Sequence, residues 1–225
     1  QFRNNNSGAG LLSRTITFSA TDPDTYTGSD SRVLNVVRTA TADNVIWDGD
    51  TDTLWTTATN WVGGFVPDAN DTAVFNDADS VTNSVNVTGS TLVGGVSFVN
   101  NTDTFTFTGL SLTTDVITQT GNGTNVINAR VSESGLAGTS FVGTVSAGVL
   151  ELRNGANLIS GTGVMTINAG GKVVAVGDAS GSTLNNSRID LNGGTLQFAA
   201  GLVTTVNGFT QSWAHAPGAT GANLD

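Results

Sequence analysis

The 225-residue chain has no cysteine, one lysine, one histidine and three prolines. Without cysteine it forms no disulfides and offers no thiolate to a metal. The single histidine, His215 in Ser212-Trp213-Ala214-His215-Ala216-Pro217, cannot supply the paired imidazoles of a zinc site, and no nucleophile motif adjoins it. The single lysine, Lys172, falls on an outward strand position, which argues against intramolecular isopeptide chemistry. Charge is scarce and lopsided: 12% of residues are charged, eight basic against eighteen acidic, for a net charge of -10. Nucleic acids and anionic membranes need clustered cations, so neither is an expected partner. Apolar runs are only a few residues long, Val173-Val174-Ala175-Val176 among them, which excludes membrane insertion through a helix. No signal-peptide pattern opens the sequence, so a secreted protein would be seen here as a mature fragment. No window sustains an apolar period of 3.6, and helix is therefore expected to be nearly absent.

What remains is 29 glycines with abundant Thr, Val, Asn and Ser. Thr and Val favour strands, while Gly and Asn favour turns with positive φ. Three zones follow: 1–40, 41–110 and 111–225. In the first, Arg14-Thr15-Ile16-Thr17-Phe18-Ser19-Ala20 alternates, Asp22-Pro23-Asp24 breaks the strand, and Arg32-Val33-Leu34-Asn35-Val36-Val37 alternates again. This predicts a hairpin. A lone hairpin is marginal in water, so it must dock on this chain or complete a sheet in a neighbouring copy. These two runs resemble the last strands of the cadherin-like or immunoglobulin-like repeats of bacterial adhesins.

The second zone carries Trp47-Asp48-Gly49, then Trp55, Asn60-Trp61, Gly63-Gly64-Phe65-Val66-Pro67 and Asp71-Thr72-Ala73-Val74-Phe75. This order of five features over about thirty residues resembles the start of the autotransporter-associated β-strand repeat regions of large bacterial surface proteins. The resemblance implies a structural element and no activity. Alternating runs follow at 85–87, 96–98 and 105–107.

The third zone repeats. Gly148, Gly171 and Gly194 lie 23 residues apart, as do Leu150, Val173 and Leu196, and Leu152, Ala175 and Phe198. Each repeat places an apolar-in, polar-out strand after a glycine, which fits one coil of a solenoid. A second strand per coil is expected in 164–167 and 188–191, offset by 24. One period earlier, Asn125 is expected at the glycine position and Ile127 at the first inward one. The expected fold is all-β: a right-handed parallel β-helix-like solenoid, preceded by a β-hairpin from an immunoglobulin-like domain. The alternative is a β-sandwich with evenly spaced strands.

Few residues suggest chemistry. Asp48, Asp50 and Asp52 alternate as in calcium loops, but the sixth and twelfth loop positions hold Thr53 and Thr59 rather than Gly and an acid. They read either as a calcium site or as an exposed acidic turn; no cofactor is expected, with calcium the possible exception. Asp22, Asp24 and Asp30 pose the same choice. Glu133, Glu151, Asp178 and Asp190 are scattered by the repeat register and form no acid pair of the kind pectin-cleaving β-helices need. Trp47, Trp55 and Trp61 are either a plug in the open end of the solenoid or a platform for sugars. The functional expectation is a non-enzymatic structural or adhesive module of a large secreted bacterial surface protein. It would lie outside the cell or on its surface, with other copies, adjacent domains or surface glycans as partners. Strand addition or end-to-end stacking would build a filament or layer. The alternative is a carbohydrate-binding module using exposed tryptophans.

Overall fold

The computed structural model describes residues 12–21, 27–36, 42–78, 80–135, 139–154, 163–176, 188–198 and 223–224. The first two strands, β1 (Leu12–Thr21) and β2 (Thr27–Val36), form an antiparallel hairpin in a two-stranded sheet, with Leu12 opposite Val36 and Thr21 opposite Thr27. The expected hairpin is there, although the Asp22-Pro23-Asp24 turn between its strands lies outside the described residues.

From Asn44 onward the strands fall into two parallel sheets, alternating between them from β4 to β9 and from β10 to β16. One contains β3 (Asn44–Ile46), β4 (Thr72–Phe75), β6 (Gly95–Phe98), β8 (Val116–Gln119), β11 (Val142–Val145), β13 (Val164–Asn168) and β15 (Arg188–Asn192), stacked in that order. The other contains β5 (Ser84–Leu92), β7 (Thr104–Thr113), β9 (Thr124–Ile127), β10 (Arg130–Ser132), β12 (Gly148–Leu152), β14 (Gly171–Ala175), β16 (Thr195–Phe198) and β17 (Asn223–Leu224). The fold is a β-solenoid. Its only helical element among the described residues is the 3₁₀ turn Ala58–Asn60.

The 23-residue spacing is borne out where it was read. Leu150 pairs with Val173 and Val173 with Leu196, while Val164 pairs with Arg188 across the offset of 24. One register differs. Asn125 pairs with Leu150, and Ile127 with Leu152, so Asn125 holds the first inward position and the residue aligned with Gly148 is Gly123. The connection through 133–141 is two residues longer than the period, and sequence spacing alone could not place that insertion. The stack also extends beyond the third zone. Thr72 pairs with Gly95, Val96 with Ile117 and Val116 with Val142, so rungs of one stack lie on both sides of position 110.

Alternation turns every second side chain inward, and equivalent residues then stack in columns. In the first sheet these are Val45–Ala73–Val96–Ile117–Gly143–Met165–Ile189 and Phe75–Phe98–Gln119–Val145–Ile167–Leu191. In the second they are Phe105–Asn125–Leu150–Val173–Leu196 and Val85–Phe107–Ile127–Leu152–Ala175–Phe198. Neighbours compensate in volume. A Cβ on Gly143 would sit 2.5 Å from the Met165 sulfur, so the long, adaptable Met fills the space that glycine leaves. Between Val87 and Ser90 the pairing of β5 with β7 shifts register. There Gly109 adopts φ +102, and a Cβ would lie 2.2 Å from the Val87 carbonyl oxygen. This irregularity divides both strands, and beyond it Ser90–Leu92, Ser111–Thr113 and β10 form a short third patch of ladder.

Candidate functional site

The tryptophan motif forms the first, irregular coil. β3 adds to the edge of β4, and Leu54 bridges Asn86 so that this segment lies beside β5. Between these anchors the three indoles fill the coil interior. Trp47, Trp55 and Trp61 are at most 1% exposed. Trp61 meets Trp47 edge-on at 5.0 Å between ring centroids and Trp55 at 4.7 Å, with Phe75 of the next rung 6.0 Å away. The Trp47 indole N–H donates to the Thr82 carbonyl at 2.7 Å and that of Trp61 to the Trp55 carbonyl at 2.8 Å. The sugar-platform reading is corrected here. Stacking on a sugar needs an open indole face, and burial leaves none on these three residues. They are the core of the terminal coil, and the alternative reading of the motif, a plug, is the one its geometry fits.

The acidic turn is equally occupied. Asp52 accepts the Leu54 N–H at 2.7 Å, the Asn60 side-chain amide at 2.7 Å and the Thr57 hydroxyl at 2.9 Å. These bonds, led by the Leu54 N–H, hold its pKa below the ordinary carboxylate range. Buried Asn60 completes the knot: its side-chain oxygen accepts the N–H groups of Thr51 and Asp52, both at 3.0 Å. Asp48 accepts the Asp50 N–H at 3.4 Å. Among the described residues no three His, Cys, Asp or Glu side chains gather at a geometry fit for a metal ion. Of Asp48, Asp50 and Asp52, Asp52 turns inward to its own loop.

The same use of carboxylates recurs elsewhere in the stack, at Asp77 and Asp115, which the sequence pattern had not singled out, and at Asp71 and Glu133, to which it had given no such role. Asp77 accepts the N–H groups of Asn101, Thr102 and Asp103 at 2.7, 3.2 and 3.0 Å, and these bonds, Asn101 first, lower its pKa. Buried Asp71 accepts the N–H groups of Asp43 at 3.2 Å and Asp68 at 2.8 Å. Asp115 accepts both the N–H, at 2.8 Å, and the hydroxyl of Ser134. Glu133 accepts the Phe141 N–H at 2.6 Å. Where parallel coils turn away from their ladders they leave backbone donors without strand partners, and a carboxylate from the same loop or from an adjacent coil satisfies these ones. Their sequence signal, an Asp next to a strand end, does not distinguish a cap from a solvent-facing charge.

A buried amide network lies inside the stack. The Asn125 side-chain nitrogen donates to the Asn100 and Gln119 side-chain oxygens at 3.0 and 3.2 Å, and its oxygen accepts the Phe105 N–H at 3.3 Å. Gln119 donates to the carbonyls of Gly123 and Ala147, and Asn100 to that of Asp103. All three side chains are fully buried. Of the remaining candidates, Glu151 pairs with Arg153 and Asp190 with Arg188, both at 2.7 Å on the surface. Asp22, Asp24, Asp178, Trp213, His215 and Pro217 lie outside the described residues, and the side chain of Asp30 is likewise not described. Comparison of the chain with protein-family models, curated proteins and solved structures finds no match.

Proposed function

We propose that this chain is a non-enzymatic structural module of a large secreted bacterial surface protein, a stiff spacer that carries or connects other domains outside the cell. The observation that supports it best is the continuous parallel ladder from Asn44 to Asn192, hydrogen-bonded rung to rung and closed at its first coil by the three tryptophans. Such stacks are quasi-one-dimensional and rigid along their axis. The acidic side chains support it too. Asp52, Asp71, Asp77, Asp115 and Glu133 are engaged in holding corners, the role expected of a scaffold. The Trp47–Phe75 motif adds the resemblance to autotransporter-associated repeats. Self-assembly belongs to the same reading, since the hairpin is a two-stranded sheet with edges able to accept further strands. Negative-stain electron microscopy of the purified chain tests the assembly. Filaments or layers that grow with concentration support it, and monodisperse single particles at every concentration count against it.

A further inference from the structure

Among the described residues, the outer face of the first sheet carries the longest uncharged run of rungs. Over five consecutive rungs its outward residues are Thr72, Val74 and Asn76 on the first, Gly95, Ser97 and Val99 on the second, and Val116, Thr118 and Thr120 on the third. Val142, Thr144 and Ser146, then Val164, Thr166 and Asn168, complete it. None of these fifteen is charged, on a chain whose net charge is -10. Charge returns at the next rung, where Arg188 and Asp190 pair with each other. The outer face of the second sheet is uncharged over three rungs, β5, β7 and β9, and carries Glu151, Arg153 and Lys172 on the next two. At the centre of the uncharged face, Val116, Val142 and Val164 stack in one column and Thr118, Thr144 and Thr166 in the next. Val99, Val116 and Val142 are 37%, 38% and 47% exposed.

We infer that this face is a docking surface for the same face of a second copy of the chain. The inference rests on the assembly reading above and names its contact. Three features select that occupant. Two chains of net charge -10 repel each other least where neither presents a charge. The columns repeat about every 4.8 Å, and only a surface of that period registers with all five rungs, which an identical face does by construction. Val, Thr and Ser are short, and Val and Thr are stiff at χ1, so the face is flat and loses little side-chain entropy when covered, as where paired sheets interdigitate. Five rungs by about five residues of strand cover roughly 300–400 Å². That is less than half of the ~800 Å² per partner that a standard stable interface buries. Single chains therefore pair weakly, and the contact becomes durable when many copies present it together.

Sedimentation velocity of the whole chain from micromolar to near-millimolar concentration tests this, with circular dichroism to verify folding. The weight-average mass of the wild type should rise with concentration. Thr144→Glu should weaken association by more than about tenfold, because it buries an unpaired charge in the contact. Thr195→Glu, on the other sheet, should associate like the wild type. As the chain has no cysteine, a second measurement is independent of the charge variant's folding. Thr118→Cys, on the central rung, should cross-link to its own kind more than about tenfold faster than Lys172→Cys under a short bismaleimide. Equal cross-linking rates, or undiminished association of Thr144→Glu, would overturn the inference, and if the wild type still associates the assembly reading survives through another surface. A wild type monomeric throughout defeats both. A monomer that adsorbs to microcrystalline polysaccharide through this face, with adsorption lost in Thr144→Glu, overturns the second copy as occupant and leaves the surface-module reading standing.

Discussion

Replacing Trp61 by alanine tests whether the tryptophan motif is a structural plug. The side chain is 1% exposed and sits between Trp47 and Trp55 in two edge-on contacts, with one indole hydrogen bond. Burying an aromatic of this size removes about 150–250 Å² from water, worth roughly 4–6 kcal/mol at 25 cal/mol per Å². Measured Trp-to-Ala losses of about 3–5 kcal/mol agree with that range and already include the edge-on contacts. Trp61→Ala should therefore lose about 3–5 kcal/mol in urea denaturation, and Trp61→Phe, which keeps a ring and loses the hydrogen bond, about 1–2 kcal/mol. The position of the damage is the sharper test. In a stack whose coils touch only their neighbours, the loss should stay near the first coils. Hydrogen exchange read by mass spectrometry should show faster exchange in β3, β4 and β5, with β12 and β14 close to wild type. A loss below about 1 kcal/mol would refute the packing argument. Equal acceleration through β14 would refute the nearest-neighbour one.

Other perturbations probe the caps, the amides and the corners. Asp77 has a folded-state pKa below its ordinary value of 3.8, so its contribution is complete above that value and is lost as pH falls through the depressed folded one. Thermal melting from pH 7 down to 2 should be flat near neutrality and fall in acid, and Asp77→Asn should show a shallower acid limb. Asn125→Leu matches the apolar residues stacked above it, Leu150 and Val173, yet strands the Asn100 and Gln119 oxygens and the Phe105 N–H. It should cost about 2–3 kcal/mol in equilibrium unfolding, and a neutral result would show that the network is dispensable. Gly148 and Gly135 both have positive φ, but a Cβ at Gly148 would lie 2.4 Å from the Gly123 carbonyl oxygen, whereas none would be contacted within 4 Å at Gly135. Gly135→Ala should lose only the conformational term of about 1–2 kcal/mol, and Gly148→Ala clearly more; equal losses would argue against the close approach.

Length, composition and alternation determined a good deal by themselves. The absence of a helical period, the glycine corners and the stacking of Leu150, Val173 and Leu196 were legible because the last coils pair at a constant 23 residues. In the first sheet the coils pair at offsets of 28, 23, 21, 26, 22 and 24 residues, as from Asn44 to Thr72, Thr72 to Gly95 and onward to Arg188. A parallel ladder fixes which strands meet but tolerates loops of any length between them, so the period fades wherever loops vary. That is why the rungs at 72–75 and 95–98, an isolated pair at 23 between offsets of 28 and 21, did not extend into a repeat, and why Asn125 fell two residues out of register. Only the tertiary structure decided what the polar residues do. Whether Asp77 faces a cation, solvent or a backbone N–H depends on which coil lies beside it, as its three bonds to residues 24 to 26 positions away illustrate. The tryptophans follow the same rule: as local sequence they suit a sugar platform or a core equally, and it is the meeting of the first coil with Phe75 that buries them.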